Sequence, residues 1–364
     1  MSRMALFALL SVSLAFGADP AGFTTGKAEL KSAGALAFGP DGILFVGDSM
    51  GGAVVAIDTG DTHVVAASSE IELAGIDRKV AALLGLDSDQ ILINDVKVNP
   101  ISKNVYLSVS RGRGLDAAPV ILRTDPSGKM TELSLDNIPH SIAGLPNPPT
   151  SNPKAERFNP RLQTITQLAY VDGKVIVAGL SNEEFSSNLR VIPFPFRSVD
   201  NGASVEIFHG SHGEYETQAP VRTFVPWTIG KERYIVAAYT CTPLVLIPVK
   251  ALKSGAKVTG TTIAEFGMGN RPLDMIAYRK DDHDFMLIAN SYRGVLKFSA
   301  ENLDRYRPIV EQEQIAGVPY KRIPGLRGVR RLTALDATKA LILADSEHAY
   351  GENDSLDLRS FPLP

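Results

Sequence analysis

The chain has 364 residues, 44% of them hydrophobic and 21% charged, which is ample material for a buried core. A net charge of −3, with no basic tract interleaved with aromatics, excludes a general electrostatic attraction to nucleic acid. The single cysteine, Cys241, excludes an intrachain disulfide, and the sequence contains no Cys-x-x-Cys-His run for covalent haem.

At the N-terminus, Arg3, the apolar run Met4 to Phe16 and the small residues Ala15 and Gly17 read as an export signal over 1–17. Residues 18–364 are then one mature domain, periplasmic or secreted. No segment reaches the roughly 18 consecutive apolar residues of a membrane helix, so no membrane span is expected.

From residue 36 onward one phrase returns six times: an alternating apolar run, a tight polar turn, a second apolar run, then, in its plainest copies, Asp or Asn with Ser. The copies run from Leu36 to Ser49, Asn94 to Ser108, Thr166 to Ser181, Arg222 to Thr240, Asp274 to Ser291 and Arg330 to Ser346. Alternation of this kind is that of strands packed face to face. A repeat of this size built of short strands predicts an all-β, six-bladed β-propeller with long loops on one face.

Within copy one, Pro40-Asp41-Gly42 is a turn between two strands, Ala53 to Asp58 is a third strand and Thr62 to Ala67 a fourth. Ile76 to Leu84 has helical spacing before a Gly85 stop and predicts a short inserted helix. The proline-rich stretch Asp136 to Arg161 reads as an irregular loop. The run Gly26 to Lys31 is expected to complete the last blade beside Ser355 to Pro362, because a closed ring leaves no free sheet edge.

In an up-and-down blade the innermost strand starts on the face where the second strand ends. Asn94, Arg222, Asp274 and Arg330 should therefore meet at one mouth of the central channel, with Asp48, Asn290 and Asp345 near them. Oxygen ligands from Asn94 and Asp274 suit a hard divalent ion such as Ca2+, and the arginines suit a carboxylate or phosphate, or pairing with Asp274. The densest polar cluster is His209-Gly210-Ser211-His212-Gly213-Glu214-Tyr215-Glu216, just before copy four. Its His209 and Glu216 are candidate metal ligands, and His212 is a candidate general base. Cys241, ending an apolar strand, reads as a small buried side chain or as a metal-binding thiol.

Ala37-Phe38-Gly39-Pro40-Asp41-Gly42, Phe45-Val46-Gly47-Asp48-Ser49 and Val55-Ala56-Ile57-Asp58, echoed at Ile288-Ala289-Asn290-Ser291 and Leu343-Ala344-Asp345-Ser346, carry a resemblance. The pattern resembles the six-bladed propellers of the NHL, gluconolactonase (SMP-30) and strictosidine-synthase-like superfamily. The resemblance implies a divalent ion at the channel mouth held by acidic and Asn side chains, a set that Asn94 and Asp274 match. Gly34 stands at the first inner start, where that family would place a Glu ligand. Two functions follow as expectations. One is an exported scaffold presenting its channel face to a small-molecule or protein ligand. The other is a metal-dependent, lactonase-like hydrolase of a small carboxylate or sugar-derived substrate, with His212 as base and Arg222 orienting the substrate. Quinone-dependent sugar dehydrogenases also use six-bladed propellers, but no fingerprint here selects them.

Overall fold

The computed structural model describes residues 22–65, 70–151, 159–346 and 355–364. The expected export signal at 1–17 lies outside the described residues. The chain is all-β with a β-propeller arrangement. Each sequence copy forms an antiparallel meander, its turns set by the residues that marked them in sequence. In copy one, Leu36–Phe38, Ile43–Asp48 and Ala53–Asp58 pair in order, with Asp41 and Gly42 at positive φ between the first two. Helix α1 spans Ile76–Leu84 as expected, with Gly75 and Gly85 both left-handed at its ends. Among the described residues no helix is long and apolar enough to cross a membrane.

The inner strands form a closed circle. Leu36–Phe38 packs beside Ile91–Val98, then come Val329–Ala334, Pro272–Lys280, Thr223–Ile229 and Gln167–Val171, which returns to Leu36–Phe38. Copies three to six follow one another in chain order, but copies one and two are exchanged. Hydrophobic clusters fill each junction of this circle. Leu44 and Tyr106 sit between copies one and two, Leu107 and Leu341 between two and six, and Phe45 and Leu168 between one and three. Hydrogen bonding divides the strands into five sheets. Parallel pairing of Ala203–His209 with Lys257–Phe266 fuses copies three and four into one sheet of ten strands.

The exchange requires the chain to leave copy one, pass copy two and reach copy six. Asp61 secures this crossing. Its carboxylate accepts hydrogen bonds from Ser102 Oγ at 2.7 Å, Tyr106 OH at 3.0 Å, and Asn99 and Asn104 Nδ2 at 3.1 Å, all in copy two. Burial pushes the Asp61 carboxyl up, but these four donors outweigh it and hold it below its ordinary value.

Three sequence expectations fail here. The last sheet is completed by Glu72–Leu73 pairing with Leu358 and Arg359, not by Gly26 to Lys31. Thr24–Gly26 instead edges the copy-one sheet. The stretch Asp136 to Arg161 is not wholly irregular, because Ile138–Gly144 inserts between Thr24–Gly26 and Ala53–Asp58. That strand takes the fourth position assigned to Thr62 to Ala67, of which the described residues 62–65 are not strand.

Candidate functional site

Inner-strand starts from all six copies line one cavity of about 690 Å3 at the channel mouth: Gly34, Asn94, Thr166, Arg222, Asp274 and Arg331. Asn94, Arg222 and Asp274 lie together as the rotational argument required. Arg330 does not. A bulge between Val329 and Arg331 puts two residues opposite one, so Arg331 turns inward and Arg330 outward to pair with Asp345 at 2.7 Å. Like bulges fall between Ile93 and Asp95 and between Pro272 and Asp274, which makes Asp95, rather than Asn94, the counterpart of Asp274.

The two carboxylates are already engaged. Asp95 accepts from Leu36 N at 2.8 Å, and Asp274 accepts from Leu332 N at 3.1 Å, so each ties its inner strand to a neighbouring one. Lys97 Nζ lies between them, 3.2 Å from Asp95 and 3.4 Å from Asp274, and keeps 15% of its side-chain surface exposed. Burial works to lower the Lys97 ammonium, but Asp274 and Asp95 together hold it above its ordinary value. Burial pushes the Asp274 carboxyl up, against the pull of Lys97. Asn94 Nδ2 donates to Ala33 O at 2.8 Å and Ser110 Oγ at 2.9 Å. The position that a divalent ion would take beside Asp274 thus holds an ammonium group.

What remains at the mouth is cationic. Arg113, Arg222, Arg271 and Arg331 line the cavity. Arg331 Nε approaches Asp95 at 3.9 Å and donates to Asn94 O at 2.7 Å, which brings the Asp95, Lys97, Asp274 and Arg331 group to neutrality. Among the described residues no carboxylate pairs with Arg222 or Arg271. Arg222 donates to Gln163 Oε1 at 2.5 Å, and its Nε is buried without a partner. Burial, reinforced by the Arg271 and Arg331 charges, lowers the Arg222 guanidinium to about 10.

The other expected site residues are dispersed. Asp48 caps a turn, accepting from Lys31 N, Ser32 N and Gly51 N at 2.7–2.8 Å, and faces a separate outer cavity. Asn290, Arg330 and Asp345 line an adjoining cavity of about 620 Å3. His140, in the Ile138–Gly144 strand, is buried and its Nδ1 lies 3.0 Å from Ile138 O.

His209, His212 and Glu216 do come together. His209 ends the Ala203–His209 strand, a turn with Gly213 at φ +75° reverses the chain, and Glu214–Glu216 returns beside it. His212 Nδ1 lies 2.6 Å from Glu216 Oε1, and His209 Nδ1 lies 2.9 Å from Oε2. The His209 contact is at ion-pair distance but misaligned for a hydrogen bond, so both of its ring nitrogens are buried without a hydrogen-bond partner. Burial raises the Glu216 carboxyl, but the two histidines outweigh it and hold it below its ordinary value. Glu265, fully buried beneath the turn, accepts from Gly210 N at 2.7 Å. Burial pushes its carboxyl up to about 8, against the pull of the Gly210 and Ser211 amides and with some help from the Glu216 charge.

Sequence reasoning missed Asp95, Lys97 and Arg271. The shared Asp-apolar step of Asp95-Val96 and Asp274-Met275 was the signal that could have aligned the two aspartates.

No family model matches the chain, and a search of curated proteins found no match. Among solved structures, the chain is similar to a putative oxidoreductase (glucose dehydrogenase) from Thermus thermophilus, with 14% identity over 93% of this chain and 100% of that one at a TM-score of 0.39. It is similar to the PQQ-bound aldose sugar dehydrogenase of Streptomyces coelicolor, with 12% identity over 94% and 99% at a TM-score of 0.36. A putative glycoside hydrolase from Parabacteroides distasonis gives 7% identity over 73% and 85% at 0.37. At such scores no activity transfers, and the propeller arrangement rests on this chain's own strand pairing.

Proposed function

We propose that this chain is an exported six-bladed propeller, one blade per sequence copy, that binds a small anion, a carboxylate or phosphate, at its arginine-lined mouth. Kinship with the NHL and SMP-30 propellers rests on the motif residues, and export on the reading of residues 1–17. The observation that carries the ligand class is Arg222: half-buried, flanked by Arg271 and Arg331, with a buried, partnerless Nε and no carboxylate beside it. A partly buried guanidinium with no counter-charge gains when an anion completes it, and guanidinium geometry matches carboxylate and phosphate oxygens in pairs. A binding role fits better than metal-dependent hydrolysis, because Lys97 and Arg331 together already balance the charges of Asp95 and Asp274.

Isothermal titration of the mature protein with gluconate, citrate, inorganic phosphate and neutral glucose tests this. One of the anions is expected to bind saturably and glucose not. Arg222→Ala should weaken that anion by about 30-fold or more, the lower end for loss of a buried charge partner. Equal binding of glucose, or an Arg222→Ala protein with unchanged affinity, would overturn the reading. Stabilisation by Ca2+ that disappears in Asp274→Asn would instead favour the lactonase-like hydrolase.

A further inference from the structure

Cys241 sits at the tip of the hairpin joining Glu232–Ala238 to Pro243–Pro248. Cys241 and Thr242 both have positive φ, 62° and 66°, conformations that two-residue hairpin turns usually give to Asn and Gly. A β-branched threonine there is a genuine outlier, and such strain persists only where its surroundings enforce it. Here Cys241 N donates to Asn270 O at 2.7 Å, and Thr242 Oγ1 bonds Cys241 O and Gly267 O, which pins the tip. The pinned tip brings Cys241 to the histidine pair of the neighbouring copy, so that ligand atoms of His209, His212 and Cys241 all lie within 4.8 Å of one another.

We propose that His209, His212 and Cys241 form a binding site for a thiophilic divalent metal of the zinc class, independent of the anion site. Glu216 is not a ligand in this arrangement. Its two oxygens face the Nδ1 atoms of both histidines, which leaves Nε2 of each ring as the donor. A carboxylate holding the far nitrogen of a ligating histidine is the usual outer support of such centres. His209 supplies the independent sign of a missing partner: the ring is 2% exposed and its Nε2 makes no hydrogen bond. Two imidazoles and a thiolate are the donor set of zinc, and three protein donors leave a fourth position open to water. In a tetrahedral centre the donors stand about 3.5 Å apart, a closure that the exposed His212 side chain can make by rotation. Binding removes the Sγ proton of Cys241 to solvent as the metal–sulfur bond forms.

A second acidic grouping, His212 with Glu214 and Glu216, is also compact. It would take Glu216 away from His209 and leave that buried ring with neither carboxylate nor metal.

The test uses the full mature protein, stripped with chelator and then titrated with Co2+ and with Zn2+. Wild type should bind one Co2+ with a thiolate-to-cobalt charge-transfer band, and Zn2+ should displace it. Cys241→Ser should lose the band. His212→Ala should bind more than about 100-fold more weakly, whereas Glu216→Gln should keep the band and lose about 10–100-fold in affinity. His283→Ala, whose ring pairs with Glu301 elsewhere on the surface, should behave as wild type. Absence of the band in wild type overturns the proposal. So does metal affinity unchanged in Cys241→Ser, which would assign the ion to His212, Glu214 and Glu216. Circular dichroism of each variant separates loss of a ligand from loss of fold.

Discussion

Lys97→Met is expected to destabilise the fold by about 3 kcal/mol or more, read as a lower urea midpoint at unchanged slope. Methionine keeps most of the stem volume, so the loss is electrostatic. Asp95 and Asp274, 4% and 2% exposed, would keep their strand-linking amide bonds but lose the ammonium between them. Two like charges would then share a buried site with only Arg331 nearby, 3.9 Å from Asp95. The pH dependence separates this cause from a packing defect. In the wild type the folded Lys97 value is raised above 10.5, so its contribution is fully present below pH 10.5 and is lost as pH rises through the raised value. In Lys97→Met the strain lies in the carboxylates instead, and stability should recover as acid protonates them. A variant equally weak at pH 4 and pH 7 would show that Lys97 acts only by filling space. Adding Asp95→Asn and Asp274→Asn to Lys97→Met should restore much of the loss, because a buried ionic group replaced as a whole costs far less than one broken in half.

How much of this was legible in the sequence depends on whether the information is local. Helix α1 was readable to the residue because Gly75 and Gly85 punctuate it on both sides. The meanders were readable because alternation and turn glycines repeat. The strand Ile138–Gly144 was hidden by Pro139, which argues against a strand but is tolerated near the start of one, and by the prolines that follow. The exchanged positions of copies one and two are a non-local fact. They are set by the Asp61 cluster and by Tyr106 packing on copy one, and no repeat pattern encodes them. At the mouth, the inner starts could be gathered but not aimed. A bulge advances the register by one residue and flips the side chain, so Arg331 took the place expected of Arg330, and Asp95 that expected of Asn94. The histidine cluster was visible because all its members but one lie within eight residues. The exception, Cys241, joins it only through the packing of copy four against copy three.

Glu265→Gln is expected to abolish a pH dependence that the wild type shows between about pH 4.5 and 8. The folded carboxyl is raised to about 8 from an ordinary 4.5. A raised value means the folded state binds the proton more tightly, so the full contribution is present below pH 4.5. It is lost progressively as pH climbs towards 8. The slope is at most about 1.4 kcal/mol per pH unit, so the alkaline side should be several kcal/mol less stable than the acid side. Burial is the main cause: Glu265 is 0% exposed, and its Oε2 has no hydrogen-bond partner. The Gly210 and Ser211 amides oppose the shift, and the Glu216 carboxylate adds to it. Glutamine offers the same amide-accepting oxygen without a charge to bury, so the variant should gain on wild type at pH 8 and match it near pH 5. The readout is therefore the difference between wild type and variant, measured by thermal unfolding in chelator. A variant with the same pH profile as wild type would mean that Glu265 is already ionised at neutral pH. It would then place a permanent negative charge directly beneath the His209 turn.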